Sequence, residues 1–334
     1  VLGLVVLSAW LLLRNRPVQT SVETPTVSVV ATAELVSTPD PGTPLSPRYT
    51  LTQTVRLFAF SPESSYLATA DQENIYLWQG DNGRWLHTLE AETAPIESLA
   101  FTPNGVNLIA RDVNGRFYRW LAFNGAFQNT MDDAQSLTGS PFALSNTTLV
   151  LVTAENNLEL WPLRGSRPDI TIETGGASIT ALAVSPDGQL VAAVFSDGTI
   201  SMWQSSGEPA GTFAKGPDTV SGIVLTNNGR FTATYQNNTF QLWQGDELGR
   251  QLPPDPSPAL GAVIDLRFVS EDDFLIVGYD QGFIQTWDIT TGELVRTFYS
   301  GPAVQAAIGT TRDGLLAATL DAQGMLTVWE KPKE

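Results

Sequence analysis

The chain has 334 residues, 42% of them hydrophobic, so it can build a large core as two or three domains or as one repeat array. Its formal net charge is −17, lysine occurs only at Lys215, Lys331 and Lys333, and the arginines are scattered singly, so no basic patch exists to hold a phosphate backbone and no nucleic-acid partner is expected. There is no cysteine and a single histidine, His87, which excludes disulfides, thiolate sites, cysteine nucleophiles and multi-histidine metal centres.

Residues 1–13, VLGLVVLSAWLLL, are apolar and uncharged, and Arg14 and Arg16 end the run. Spanning a bilayer takes about 20 apolar residues, so the run reads as the C-terminal part of a transmembrane segment that continues upstream of Val1. The alternative is the apolar region of a signal peptide, but no small-x-small cleavage site follows directly. Residues 14–47 are rich in Pro, Thr, Ser and Val, with repeated Thr-Pro and Ser-Pro steps that disfavour helix. That composition predicts a disordered or extended linker.

From residue 48 onward the chain repeats. Tryptophan recurs at Trp78, Trp120, Trp161, Trp203, Trp243, Trp287 and Trp329, with spacings of 42, 41, 42, 40, 44 and 42 residues. Each ends a short alternating segment, such as NIYLW, NLELW or FIQTW. Upstream lies an apolar strand such as IESLAF (96–101) or ITALAV (179–184). A turn follows: SPES (61–64), TPNG (102–105), SPDG (185–188), TNNG (226–229) or TRDG (311–314). A second strand and a second turn then lead into the tryptophan strand. Pro, Asn, Asp and Gly stand at fixed offsets in these turns. The third unit, around FALSNTTLVLVTA (142–154), is the weakest copy.

Seven units of about 42 residues, each with four strand-like segments, carry the signature of propeller blades. Over residues 48–330 the chain resembles the WD40-repeat family. The stretch GYDQGFIQTWDITTGELVRTF (278–298) is the best copy, and the family's Trp-Asp pair occurs only there, at Trp287 and Asp288. The Gly-His pair that often opens a family repeat is absent. The resemblance implies an all-β, seven-bladed β-propeller with four-stranded blades over residues 48–334. It also implies that an N-terminal strand closes the ring. After Trp329 only EKPKE remains, so RYTLTQ (48–53) is expected to supply the fourth strand of the last blade.

Catalytic motifs are mostly absent: there is no G-x-S-x-G, Walker A loop, H-E-x-x-H or G-x-G-x-x-G. A serine triad would have to use His87, which falls in an outer strand among bulky apolar residues. No cofactor or metal is expected. DVNG (112–115) resembles the start of a calcium loop but lacks the twelfth-position glutamate. Asn146 and Asn237 stand in N-x-Thr sequons. Six carboxylates fall at the second turn of their repeats: Asp71, Asp112, Glu155, Asp197, Asp280 and Asp321. They form a candidate acidic rim for a cation or a basic peptide, or they simply cap tight turns.

The expected function is that of a non-enzymatic, membrane-anchored interaction or scaffold module. It would bind a protein or peptide, favourably a basic one, at the propeller rim or channel mouth, with residues 1–13 in the membrane. The resemblance supports this, since WD40-like propellers mostly act as scaffolds. A second expectation is the sensor or accessory tail of a longer signalling protein, for example one with a kinase domain upstream of residue 1. A third is a hydrolase using the rim carboxylates. The Ser/Thr/Pro linker and lysine poverty favour an extracytoplasmic propeller, whereas Arg14 and Arg16 favour the cytoplasmic side.

Overall fold

Period-two alternation of apolar and polar residues makes a strand with one covered face, and clusters of Asn, Asp, Gly and Pro end it. A computed structural model describes residues 43–71, 74–89, 95–131, 139–213, 220–227, 229–244, 247–252, 260–269, 273–301, 305–311 and 314–330. The transmembrane segment expected at 1–13 and the linker expected at 14–47, as far as residue 42, lie outside the described residues. Among the described residues there is no α-helix, and so no helix long and apolar enough to cross a membrane.

Two short strands come first, β1 (Thr43–Pro44) and β2 (Ser46–Thr50). Blade 1 is β3 (Leu57–Phe60), β4 (Tyr66–Ala70), β5 (Ile75–Gln79) and β6 (Trp85–Leu89). Blade 2 is β7 (Ile96–Phe101), β8 (Asn107–Asp112), β9 (Phe117–Leu121) and β10 (Phe127–Met131). Blade 3 is β11 (Phe142–Leu144), β12 (Thr148–Val152), β13 (Leu158–Pro162) and β14 (Ile170–Ile172). Blade 4 is β15 (Ile179–Val184), β16 (Leu190–Phe195), β17 (Ile200–Gln204) and β18 (Pro209–Phe213). Blade 5 is β19 (Gly222–Leu225), β20 (Phe231–Gln236), β21 (Thr239–Gln244) and β22 (Glu247–Leu252). Blade 6 is β23 (Val263–Val269), β24 (Phe274–Tyr279), β25 (Phe283–Asp288) and β26 (Leu294–Tyr299). Blade 7 is β27 (Gln305–Thr311), β28 (Gly314–Leu320) and β29 (Leu326–Glu330), completed by β2.

Strands of a blade pair antiparallel in chain order and are called a to d from the channel outward. Inner a strands of neighbouring blades meet, blades 2 and 3 join through a shared apolar cluster and the hydrogen bond from Asn104 N–H to Asn146, and β27 of blade 7 meets β3 of blade 1, so the ring closes. Pairing of β2 with β29 starts at Ser46 opposite Glu330 and continues through Leu51, whose N–H donates to the Leu326 carbonyl at 2.9 Å. The closing strand thus begins two residues before the expected Arg48. Upstream of it, Thr43 and Pro44 run parallel to Phe298 and Tyr299 as a fifth strand on blade 6. Leu45, between β1 and β2, is buried against Ile276, Ile284 and Phe298 of blade 6 and Ala317 of blade 7. Within the stretch assigned to the linker, residues 43–47 therefore already belong to the sheet edges.

The core is divided among the blade interfaces. The buried hydrophobic side chains form seven clusters, one between each pair of neighbouring blades. The tryptophan of each blade packs against the preceding blade, as Trp161 does on Ile109 and Phe117 of blade 2. The residues one and three places before it turn the other way. Leu160 and Leu158 accordingly join the cluster shared with blade 4. Trp120, Trp161, Trp203, Trp243 and Trp287 are buried, while Trp78 and Trp329, which flank the closure, are half-buried.

Candidate functional site

The a–b turns begin with a serine or threonine whose side chain is buried: Ser61, Thr102, Ser145, Ser185 and Thr226. Its oxygen accepts a backbone N–H from the start of strand b. Tyr66 donates to Ser61 Oγ at 2.9 Å, Asn107 to Thr102 Oγ1 at 3.0 Å and Phe231 to Thr226 Oγ1 at 2.9 Å. Capping the turn in this way leaves the next residue at the mouth of the channel: Pro62, Pro103, Asn146, Pro186 and Asn227. The rims of blades 2, 3 and 4 are stitched together. Asn104 N–H donates to Asn146 Oδ1 at 2.8 Å, and Asn146 N–H donates to the Pro186 carbonyl at 3.1 Å. Gly188 makes the close approach in blade 4: its φ is +78°, and a Cβ there would lie 3.0 Å from Ser145 Oγ.

Below this rim lies a cavity of about 550 Å³. The inner strands line it in layers. Phe101, Leu144, Val184, Leu225 and Phe268 stand next to the turns, with Ala143, Ala183, Val224 and Arg267 below them and Phe142, Leu182, Ile223 and Leu266 lower still. Most of the lining side chains are apolar, and Asn104, Asn146, Asn227 and Arg267 add polar ones. Phe142 is held from behind by the Arg111 guanidinium, 5.1 Å from its ring centroid. Arg111 is buried, pairs with Glu97 and donates from Nη1 to the Ser140 carbonyl at 2.6 Å. Burial pulls the Arg111 pKa down, and Glu97 partly offsets that.

The six carboxylates singled out in the sequence lie elsewhere. They sit on the b–c turns, and consecutive hairpins put b–c turns at the end of each blade opposite to the a–b turns. Most serve their own backbone. Asp71 accepts from Asn74 N–H at 2.8 Å and from the Tyr76 hydroxyl at 3.0 Å. Asp112 accepts from Asn114 and Arg116 N–H at 2.8 and 3.0 Å and from the Tyr118 hydroxyl at 3.0 Å. That hydroxyl's pKa is raised, first by burial and then by Asp112. Asp197 accepts from Thr199 N–H, and Asp321 from Gln323 and Met325 N–H. Asp280 instead ties Ala262 N–H at 3.0 Å, and Glu155 is exposed. Among the described residues no three His, Asp or Glu side chains group to hold a metal ion. The carboxylates thus stand at one end of the channel, and the cavity opens at the other. Arg267 is absent from the residues expected above, and an alignment of the seven inner strands is the signal that finds it.

The family description "WD domain, G-beta repeat" matches residues 169–204, which span the end of blade 3 and most of blade 4. The chain is a WD40-repeat-like seven-bladed β-propeller. Similar curated proteins include telomerase protein component 1 of Mus musculus, 24% identical over 239 residues, covering 70% of this chain and 9% of that protein. Transcription initiation factor TFIID subunit 5 of Caenorhabditis elegans is 23% identical over 181 residues, 53% of this chain and 28% of the relative. Cell division cycle 20.1, cofactor of APC complex, from Arabidopsis thaliana is 27% identical over 184 residues, 51% of this chain and 40% of the relative. The propeller therefore spans between 9% and 40% of the length of these relatives.

The WD40-like propeller keeps part of a polar network without the Gly-His pairs. The indole N–H groups of Trp78, Trp243 and Trp329 donate to Thr69, Thr234 and Thr319 at 2.9, 3.0 and 2.7 Å, all at one register position of strand b. Trp161 and Trp287 donate within their own strand, to Glu159 and Gln285.

Proposed function

We propose that this propeller is a non-enzymatic interaction module that engages a protein or peptide partner at the a–b mouth of its channel. The cavity of about 550 Å³ carries the reading. Its volume falls in the range of ligand sites, most of its lining side chains are apolar, and a few polar side chains converge on it. The rim hydrogen bonds between blades 2, 3 and 4 hold that mouth preformed, which limits the ordering cost of binding. Relatives named as a cofactor of a complex and as a subunit of a transcription factor support an assembly role. In the same reading the apolar run at 1–13 tethers the propeller to a membrane, on its extracytoplasmic side.

A photo-crosslinking amino acid placed at Asn227, and separately at Asp197, tests which end is used. Capture of one discrete partner from Asn227 and not from Asp197 is expected. Capture only from Asp197 would move the site to the acidic rim, and abundant nonspecific proteins from both positions would remove the interaction role. Protease accessibility of the propeller in intact cells tests the sidedness. Loss of activity in Asp197→Asn and Asp280→Asn, should any hydrolysis be found, would revive the enzymatic alternative.

A further inference from the structure

One row of each blade runs through the residue just before the repeat tryptophan. Followed inward through the strand pairing, that row ends on one residue of the inner strand. In blades 1 to 7 these residues are Ala59, Ala100, Ala143, Ala183, Val224, Arg267 and Ala307. At this level Ala143, Ala183 and Val224 line the cavity with small side chains, and Arg267 enters it. Arg267 is the sole charged side chain among the described residues that line the cavity. Its Nη1 is buried and has no hydrogen-bond partner among the described residues. A guanidinium stays charged and carries five donors. A buried donor left unpaired calls for an explanation, and a ligand absent from the structure is one.

Resting on the interaction role proposed above, we infer that the a–b mouth binds a monocarboxylate on an apolar stem, with the carboxylate on Arg267. Arginine meets a carboxylate through two parallel hydrogen bonds, and one guanidinium balances one negative charge. A phosphate dianion would bring a second charge, and the described residues lining the cavity hold no second cation to meet it. Phe101, Leu144, Val184 and Phe268 stand between Arg267 and the turns, so the group behind the carboxylate passes an apolar collar. The C-terminus of a peptide ending in large apolar residues has this chemistry, and so does a free aliphatic acid. A cationic group at this depth would meet Arg267, the sole charged side chain among the described lining residues, and be repelled.

Calorimetric titration of the full chain tests the inference with three probes: a tetrapeptide ending in Leu-Phe as the free acid, the same peptide as its C-terminal amide, and hexanoate. The free acid is expected to bind at least about tenfold more tightly than the amide. Arg267→Met is expected to abolish that difference, and Arg267→Lys to keep part of it. Arg267→Ala restores the small residue of the other blades and is expected to melt no lower than the wild type, which shows that lost binding is not lost folding. Tighter binding of the peptide than of hexanoate assigns the carboxylate to a chain end, and comparable binding assigns it to a small acid. Equal binding of acid and amide, retained discrimination in Arg267→Met, or no binding of any probe by the wild type overturns the inference. If crosslinking from Asn227 still captures a discrete partner in those cases, the interaction role stands and the carboxylate alone falls.

Discussion

Each repeat tryptophan carries an indole N–H into a covered layer, where it needs an acceptor. Thr69 is buried and accepts from both Trp78 Nε1 at 2.9 Å and Gln53 Nε2 at 3.3 Å. Thr69→Val keeps the shape and removes the acceptor, so a loss of about 1–3 kcal/mol is expected in urea unfolding. Thr69→Ser should recover most of it. Trp161 is 2% exposed, and Trp161→Ala should cost about 3–5 kcal/mol because the facing blade cannot collapse onto the void. The one Trp-Asp pair does a different job. Asp288 Oδ1 accepts from Thr290 and Thr291 N–H at 2.9 and 2.8 Å, capping the c–d turn of blade 6. The backbone N–H of Thr291 above all holds its pKa below the ordinary value. A depressed folded pKa gives stability that is present above the unfolded value, about 3.9, and lost as pH falls through the folded one. Asp288→Asn should therefore flatten the fall of the melting temperature below about pH 4, and an unchanged acid limb would refute that role.

The closing strand ties blade 7 to blade 1 as well as to itself. Tyr49 on β2 donates its hydroxyl to the Gly80 carbonyl of blade 1 at 2.7 Å. Burial, then the Asp81 carboxylate, raises its pKa. Gly83 faces the same ring. Its φ is +68°, and a Cβ there would fall 2.6 Å from the Tyr49 ring. Gly83→Ala should cost at least about 1–2 kcal/mol from the left-handed backbone alone, and Tyr49→Phe about 1 kcal/mol for the hydrogen bond. Removal of residues 43–50 would leave β29 as an open edge. Hydrogen exchange of residues 305–330 should then rise far more than that of blades 3 and 4. Uniform protection across the blades would show that the ring does not depend on this strand.

At the scale of the whole chain, the net charge of −17 sets a self-repulsion that opposes compactness. Salt shortens its range from about 30 Å at 0.01 M to about 8 Å at 0.15 M. The melting temperature should therefore rise over that interval of sodium chloride, and a flat or falling response would refute the charge argument. The same charge sharpens the contrast between the two ends of the channel. Four aspartates on the b–c turns accept backbone N–H groups of their own turns, and in the cavity beneath the a–b turns Arg267 is the sole charged side chain among the described lining residues.

The blade count was legible in the sequence because it rests on local physics. A tryptophan about every 42 residues, alternating strands and turn residues at fixed offsets need no knowledge of distant contacts. The same periodicity told which strand faces carry the core, as Trp161 and Leu160 show by pointing to opposite neighbours. Closure by the N-terminal strand was also legible, because RYTLTQ (48–53) reads as a strand outside the seven units and the family resemblance implies such a closing strand. What required the tertiary structure was everything set by register between strands. The bulges between Ile179 and Ala181 and between Val263 and Asp265 shift the count along strand a. Because both bulges fall at the same place, an alignment of the inner strands pairs Arg267 with Ala183, but it does not show that this position faces a cavity. Nor could it show that the cavity opens beneath the a–b turns, away from the aspartates that had drawn attention by their charge. Turn chemistry is written in neighbours along the chain, whereas a channel exists only where seven separate strands meet.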